Sequence, residues 1–110
     1  MVRISWGYDH NGCYNHLKCL GHAGYGERGT DIVCSAISVL THTTILAMEQ
    51  ILGLELKLQV DAETGLIDCK WVNKPELTDK VELLIKTMLL GLNEIKCQYP
   101  EHLSLGEAEV

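Results

Sequence analysis

The spacing of apolar residues changes along this chain from every second residue to every third or fourth residue, and back again. Alternation is typical of a half-buried strand, whereas recurrence every three to four residues is typical of a helix with one buried face. The order of these patterns predicts two strands, a helix, two strands, a helix and a last strand. We therefore expect an α+β fold with one antiparallel or mixed sheet covered by two helices. With 110 residues, 46% of them hydrophobic, the range 1–110 is expected to form a single domain.

Turn and helix-end signals place the individual elements. The predicted strands cover about 2–6, 14–21, 54–60, 67–71 and 97–103, and the predicted helices cover about 31–52 and 75–95. Thr30 is the expected N-cap of the first helix, and Gly53 is its expected stop. The strand at 54–60 shows the clearest alternation, so we expect it to be half-buried. Pro100 suits an edge strand, and the acidic tail from Gly106 is expected to fray.

Composition excludes several classes of function. The formal net charge is −6, and the nine Lys and Arg residues are spread without clustering. A protein that grips nucleic acid should carry a basic face, so we expect no direct nucleic-acid partner. The chain has no long uninterrupted apolar run and no signal-peptide core at its N-terminus, so we expect a cytoplasmic protein without a membrane partner. Its five cysteines are then expected to be free thiols.

A histidine and a cysteine, His22 and Cys34, bracket a glycine-bearing loop that leads into the first helix. A cysteine in a first helical turn lies where unpaired N–H groups and the helix dipole favour negative charge, and therefore the reactive thiolate. A nearby histidine can accept the thiol proton. The pattern favours catalysis with Cys34 as nucleophile and His22 as base. The alternatives are that Cys34 is a small core residue and that His22 is satisfied by the backbone.

Other residues near this pair are candidates for binding a substrate, since glycines let a peptide backbone approach closely. The candidate binding residues are Gly21, Gly24, Tyr25, Gly26, Asp31 and Ser38. Asp31 either caps the helix or orients the histidine. Ser38 lies one turn after the cysteine and either lines the pocket or bonds back to a carbonyl. Glu27 and Arg28 are further possible loop contacts, and backbone N–H groups at the helix start are expected to stabilise an oxyanion.

Three other interpretations compete with this one. His10, Cys13, His16, Cys19 and His22 recur every third residue, which suggests zinc, but a strand would point them to different faces. We therefore expect no metal and no cofactor. A redox thiol protein would need a second cysteine beside the reactive one, and only Cys19 qualifies, if the fold brings it close. Cys69 and Cys97 are expected in the core. A noncatalytic peptide-binding or ribosome-assembly module remains the third alternative.

Two segments carry a resemblance to a known family. The segments 21–25, Gly-His-Ala-Gly-Tyr, and 29–38, Gly-Thr-Asp-Ile-Val-Cys-Ser-Ala-Ile-Ser, resemble the signature of the ribosomal-processing cysteine protease Prp family. The length, the element order and the late Tyr99-Pro100 also match. The resemblance implies that Cys34 is the nucleophile and His22 the general base, while Asp31 and Ser38 match motif positions of less certain role.

The resemblance also implies a substrate. Members of this family remove a short N-terminal extension from a large-subunit ribosomal protein, cutting after an aromatic residue within a short apolar motif. They are homodimers. If this chain acts in the same way, it is a cysteine endopeptidase that works through a thioester, and its partner is that N-terminal extension.

Overall fold

The computed structural model describes residues 1–27 and 29–108, and its elements follow the predicted order. The strands are β1 (Val2–Tyr8), β2 (Tyr14–Leu20), β3 (Leu56–Asp61), β4 (Leu66–Trp71) and β5 (Leu103–Glu107). The helices are α1 (Ile32–Leu46), continued by a π-helical turn (Ala47–Ile51), and α2 (Thr78–Gln98), preceded by a 3-10 turn (Pro75–Leu77). Arg28, a predicted loop contact, lies outside the described residues, as does the end of the acidic tail.

The five strands form one mixed sheet in the order β3-β4-β2-β1-β5. The pairs β1–β2, β2–β4 and β3–β4 are antiparallel, and β5 lies parallel to β1. Alternate residues of β2, among them Leu17 and Cys19, face the core with the buried stripes of α1 and α2. The predicted architecture, a sheet covered by two helices, is therefore confirmed.

Two glycines shape how the helices end and meet. Gly53 has a φ of +70°, which glycine adopts at little cost, and it follows the π-helical turn as the predicted stop. In α2, a Cβ on Gly91 would lie 3.0 Å from Leu40 Cδ1 of α1, so the missing side chain lets the two helices pack closely.

By length and composition, Ile32–Ile51 is apolar enough to cross a membrane, but its buried residues form part of the core of this domain.

The predicted cap of α1 is wrong by one residue. Asp31, not Thr30, is the N-cap, because its carboxylate accepts the N–H groups of Val33 and Cys34. The Thr30 hydroxyl instead donates to the carbonyl of Glu27. Cys34 is therefore the third residue of the helix, still within its first turn.

The last strand was also misplaced by the sequence pattern. Residues up to Gln98 continue α2, and Pro100 lies in the turn before β5 rather than in an edge strand. Cys97 is consequently exposed on the helix and is not a core residue. Gly106 lies in β5 opposite Ser5, so the chain is ordered by pairing with β1 at a position where fraying was predicted.

The alternating segment 54–60 is less buried than its pattern indicated. Leu54 is buried but precedes β3, which begins at Leu56. Leu58 and Val60 are 51% and 61% exposed, although they pair with β4 residues on the helix-covered face of the sheet. The reason is that β3 is an edge strand, so one side of it has no neighbour. The alternating pattern predicts which residues share a face of the sheet, but it does not predict whether another layer covers that face.

Candidate active site

The loop that follows β2 and the first turns of α1 enclose a cavity of about 340 Å³. The residues that line it are His22, Gly24, Gly26, Gly29, Asp31, Cys34, Ser35 and Ser38. Six of the eight predicted site residues are among them. The fold therefore brings the histidine and the cysteine to one cavity, as the sequence predicted.

A second cavity, of about 260 Å³, adjoins the first and shares His22, Cys34 and Ser38 with it. It also contains the predicted residue Gly21. It lies between α1 and the β3–β4 hairpin, and its wall includes apolar side chains such as Ile37 of α1. The pair therefore lies where a glycine-lined cavity and an apolar cavity meet, an arrangement suited to an extended chain that crosses Cys34.

Asp31 holds the loop and the helix together. Its Oδ1 accepts from the N–H groups of Val33 and Cys34, both at 3.0 Å. Its Oδ2 accepts from Tyr25 at 2.9 Å and from Gly26 at 3.0 Å. Burial opposes ionisation of this 5% exposed side chain, but the four N–H groups hold the pKa of Asp31 below its ordinary value of 3.8. Asp31 is therefore the N-cap of α1 and also lines the cavity.

These hydrogen bonds change one expectation about the helix start. Main-chain N–H groups at the helix start are expected to stabilise an oxyanion, but the N–H of Cys34 already donates to Asp31. The amide of Ser35 donates to the main-chain carbonyl of Asp31. The N–H groups of Val33, Cys34 and Ser35 therefore all donate to Asp31.

His22 is held by the turn between β3 and β4. Its Nε2 lies 3.0 Å from the carbonyl oxygen of Glu63, which can only accept a hydrogen bond, so Nε2 is the protonated nitrogen. This contact joins residues 41 positions apart in the sequence. Sequence reasoning missed Glu63, because a main-chain carbonyl leaves no side-chain signal.

Tyr25 does not line the 340 Å³ cavity. Its ring packs edge-on against Tyr99 and His102, with centroid separations of 5.2 Å and 5.5 Å. His102 also donates through Nδ1 to the carbonyl of Ala23 at 2.7 Å, since a carbonyl oxygen can only accept. These residues hold the loop from outside the cavity. Tyr99 belongs to the Tyr99-Pro100 match, whereas no pattern in the sequence indicates a role for His102.

The remaining cysteines and histidines do not form a metal site. Within residues 1–27 and 29–108, no three His, Cys, Asp or Glu side chains are placed to hold a metal ion. His16 instead bonds Asp68 through Nε2 at 2.7 Å. Cys19 does approach the reactive region, since it lines the second cavity with Cys34, but burial and the neighbouring Cys34 raise the pKa of Cys19 to about 11. All five cysteines are free thiols.

Comparison with known proteins assigns the family. The family model described as cysteine protease Prp matches residues 1–104. The chain belongs to the Prp family of cysteine proteases. The ribosomal processing cysteine protease Prp of Bacillus subtilis is 28% identical over 89 residues, covering 79% of this chain and 80% of the relative. The Prp of Staphylococcus aureus strain Mu50 is 29% identical over 86 residues, covering 78% and 79%.

Solved structures agree with this assignment. A crystal structure of S. aureus Prp with a covalently linked product peptide superposes with a TM-score of 0.86 at 25% identity, covering 98% of this chain and all of that one. A structure of a Streptococcus mutans protein superposes with a TM-score of 0.77 at 28% identity, covering 97% and 93%. The Prp fold and the class of the enzyme, a cysteine protease, are therefore common to this chain and its relatives.

Proposed function

We propose that this Prp protein is an endopeptidase that removes the N-terminal extension of a large-subunit ribosomal protein. The observation that carries the proposal is that His22 and Cys34 line the same cavity, under a loop rich in glycine. In a family of cysteine proteases, such a pair has the elements of a nucleophile and its base. The relatives are named for ribosomal processing, which supports a ribosomal protein as substrate.

The chemistry proceeds through a thioester. His22 takes the proton of Cys34, and the thiolate attacks the scissile carbonyl to give a tetrahedral intermediate. Collapse of that intermediate breaks the peptide bond, and the imidazolium of His22 returns the proton to the leaving amine. A water molecule, activated by His22, then hydrolyses the thioester and releases the free thiol.

The two adjoining cavities suggest how the peptide binds. The main chain of the substrate passes along the glycine-lined cavity, where Gly24 and Gly26 present no side chains. An apolar side chain next to the scissile bond enters the second cavity, beside Ile37. Ser38 borders both cavities and contacts the substrate near the scissile bond. Tyr25 acts indirectly in this proposal, by holding the loop.

We also propose that the enzyme works as a homodimer in the cytoplasm, without a cofactor and without direct contact to nucleic acid or membrane. Exposed apolar side chains support a partner copy. Leu58 and Val60 lie exposed on edge strand β3, and Val60 also lines the second cavity. A second copy that covers this edge would bury both side chains.

The test uses the purified protein, the precursor of the ribosomal protein from the same organism, and intact mass spectrometry. We expect one N-terminal cut by the wild type, no cut by Cys34→Ser, and a rate lower by about 10²- to 10⁴-fold for His22→Ala. Cys97→Ser is the matched control, because it replaces an exposed thiol on α2. If the precursor stays intact but is retained in a stable complex, the chain is a noncatalytic binding module.

A further inference from the structure

The turn between β3 and β4 packs against the backbone immediately before His22. The N–H of Gly21 donates to the carbonyl of Thr64 at 3.0 Å. Gly65 has a φ of +68°, and a Cβ on it would clash with the carbonyl of Gly21. No side chain fits between the two segments, so the position of the turn is coupled directly to the position of Gly21 and of the histidine that follows it.

The same turn also contacts the side chain of His22. Because the carbonyl oxygen of Glu63 accepts from Nε2 of His22, the neutral ring carries its hydrogen on Nε2 and leaves Nδ1 as the acceptor. We propose that the main-chain carbonyl of Glu63 is the positioning group of the histidine, so that Nδ1 is the nitrogen that accepts the Cys34 proton. This inference rests on the proposed function, and it supplies the third member that orients a catalytic base.

The conformation of the turn, rather than the Glu63 side chain, sets this contact. The carboxylate of Asp61 accepts from the N–H of Glu63 at 3.0 Å, and the Thr64 hydroxyl donates to the Asp61 carbonyl at 3.5 Å. These bonds fix the two peptide groups that precede the Glu63 carbonyl, and the N–H of Gly21 holds the Thr64 carbonyl that follows it. Asp61 and Gly65 are therefore positioning residues that act through Glu63, while the Glu63 carboxylate is dispensable.

The first experiment compares two glycine substitutions. Gly65→Ala adds a methyl group where the turn meets Gly21, whereas Gly12→Ala adds one in the β1–β2 turn. Gly12 is a matched control, because its φ of +78° carries a similar strain and nothing lies within 4 Å of the added Cβ. We expect Gly65→Ala to lower kcat on the order of 10- to 100-fold with a smaller change in KM, and Gly12→Ala to leave both constants near wild type.

The second measurement determines the tautomer of the His22 ring in the absence of substrate. In ¹⁵N-labelled protein at alkaline pH, two-bond correlations of the imidazole should show the hydrogen on Nε2. Gly65→Ala should give a mixture of both tautomers. A wild-type His22 with its hydrogen on Nδ1 would overturn the inference, as would a Gly65→Ala protein with unchanged tautomer and kcat. If the wild type fails to cut the precursor but shows the Nε2 tautomer, the proposed function fails and the positioning of His22 stands.

A second set of variants covers the case in which Gly65→Ala does not fold. Asp61→Ala removes the acceptor for the Glu63 N–H and should lower kcat several-fold, with a shift in the pH profile of kcat. Asp61→Asn keeps a side-chain carbonyl oxygen and should restore most of that loss. Glu63→Ala keeps the main-chain carbonyl and should match the wild type. A Glu63→Ala protein as impaired as Asp61→Ala would assign the role to the side chain and refute the proposal.

Discussion

His102 and Ala23 are joined by a hydrogen bond of 2.7 Å across 79 positions of sequence, from the ring Nδ1 to the main-chain carbonyl. The bond ties the segment before β5 to the peptide group that follows Ala23. The ring of His102 also meets the ring of Tyr25, so one side chain restrains the loop at two points. The start of the glycine-bearing loop is therefore held from the far end of the chain.

We expect His102→Ala to release this loop. Loss of the hydrogen bond should lower the free energy of unfolding by about 0.5–1.5 kcal/mol and should speed hydrogen exchange at the Tyr25 and Gly26 amides. His102→Asn, which keeps an N–H donor, should recover part of both effects. His10→Ala is the control, since His10 is exposed in the β1–β2 turn. Equal exchange rates in His102→Ala and wild type would show that the bond does not restrain the loop.

Asp31 makes the stability of the protein depend on pH. Because its folded pKa lies below its ordinary value of 3.8, the stabilisation is complete above that value and is lost as the pH falls through the lower folded pKa. At pH 7, Asp31→Ala should lower the free energy of unfolding by about 0.5–2 kcal/mol, the usual range for losing an N-cap. Urea unfolding measured from pH 7 downward should show the difference from wild type shrinking below pH 3.8. A difference that stays constant with pH would contradict an ionised cap.

The buried cysteines should resist alkylation in the native protein. Burial raises the pKa of both Cys19 and Cys69 to about 11, so at pH 8 only about one molecule in a thousand carries either thiolate. Brief treatment with iodoacetamide at pH 8, followed by peptide mass spectrometry, should leave both thiols unmodified. The exposed thiol of Cys97 should react, and the denatured protein supplies the fully reacted reference. Native modification of Cys19 at the rate of Cys97 would contradict its burial.

If the protein forms the homodimer proposed above, edge strand β3 is expected to lie in the contact between the two copies. Leu58→Lys places a charge on its exposed apolar side and should weaken self-association, measured by analytical ultracentrifugation across a concentration series. Val72→Lys is the matched control, because Val72 is also apolar and exposed but follows β4 instead of lying on this edge. A Leu58→Lys protein that associates as tightly as wild type would place the contact elsewhere.

The order of the elements and the placing of His22 and Cys34 beside one loop could be predicted from the sequence. Spacing alone separates strands from helices, because the two structures repeat with different periods. The glycine-bearing segment identified His22 and Cys34 because both residues flank one local loop, and that local connection limits how far apart they can lie. The ends of elements were less well determined. In the structure the N-cap of α1 is Asp31 rather than Thr30, and the last strand begins after Pro100. Side-chain hydrogen bonds and strand pairing decide these ends, and neither follows from apolar spacing.

The groups that hold the histidine and the loop could not be predicted from the sequence. The Glu63 carbonyl and the His102 ring reach the site from distant segments, through a hairpin turn and through the parallel pairing of β5 with β1. A main-chain carbonyl has no side-chain identity to reveal it. The exposure of Leu58 could not be predicted for a related reason. Alternation assigns a residue to one face of the sheet, but the packing of the other elements decides whether that face is covered.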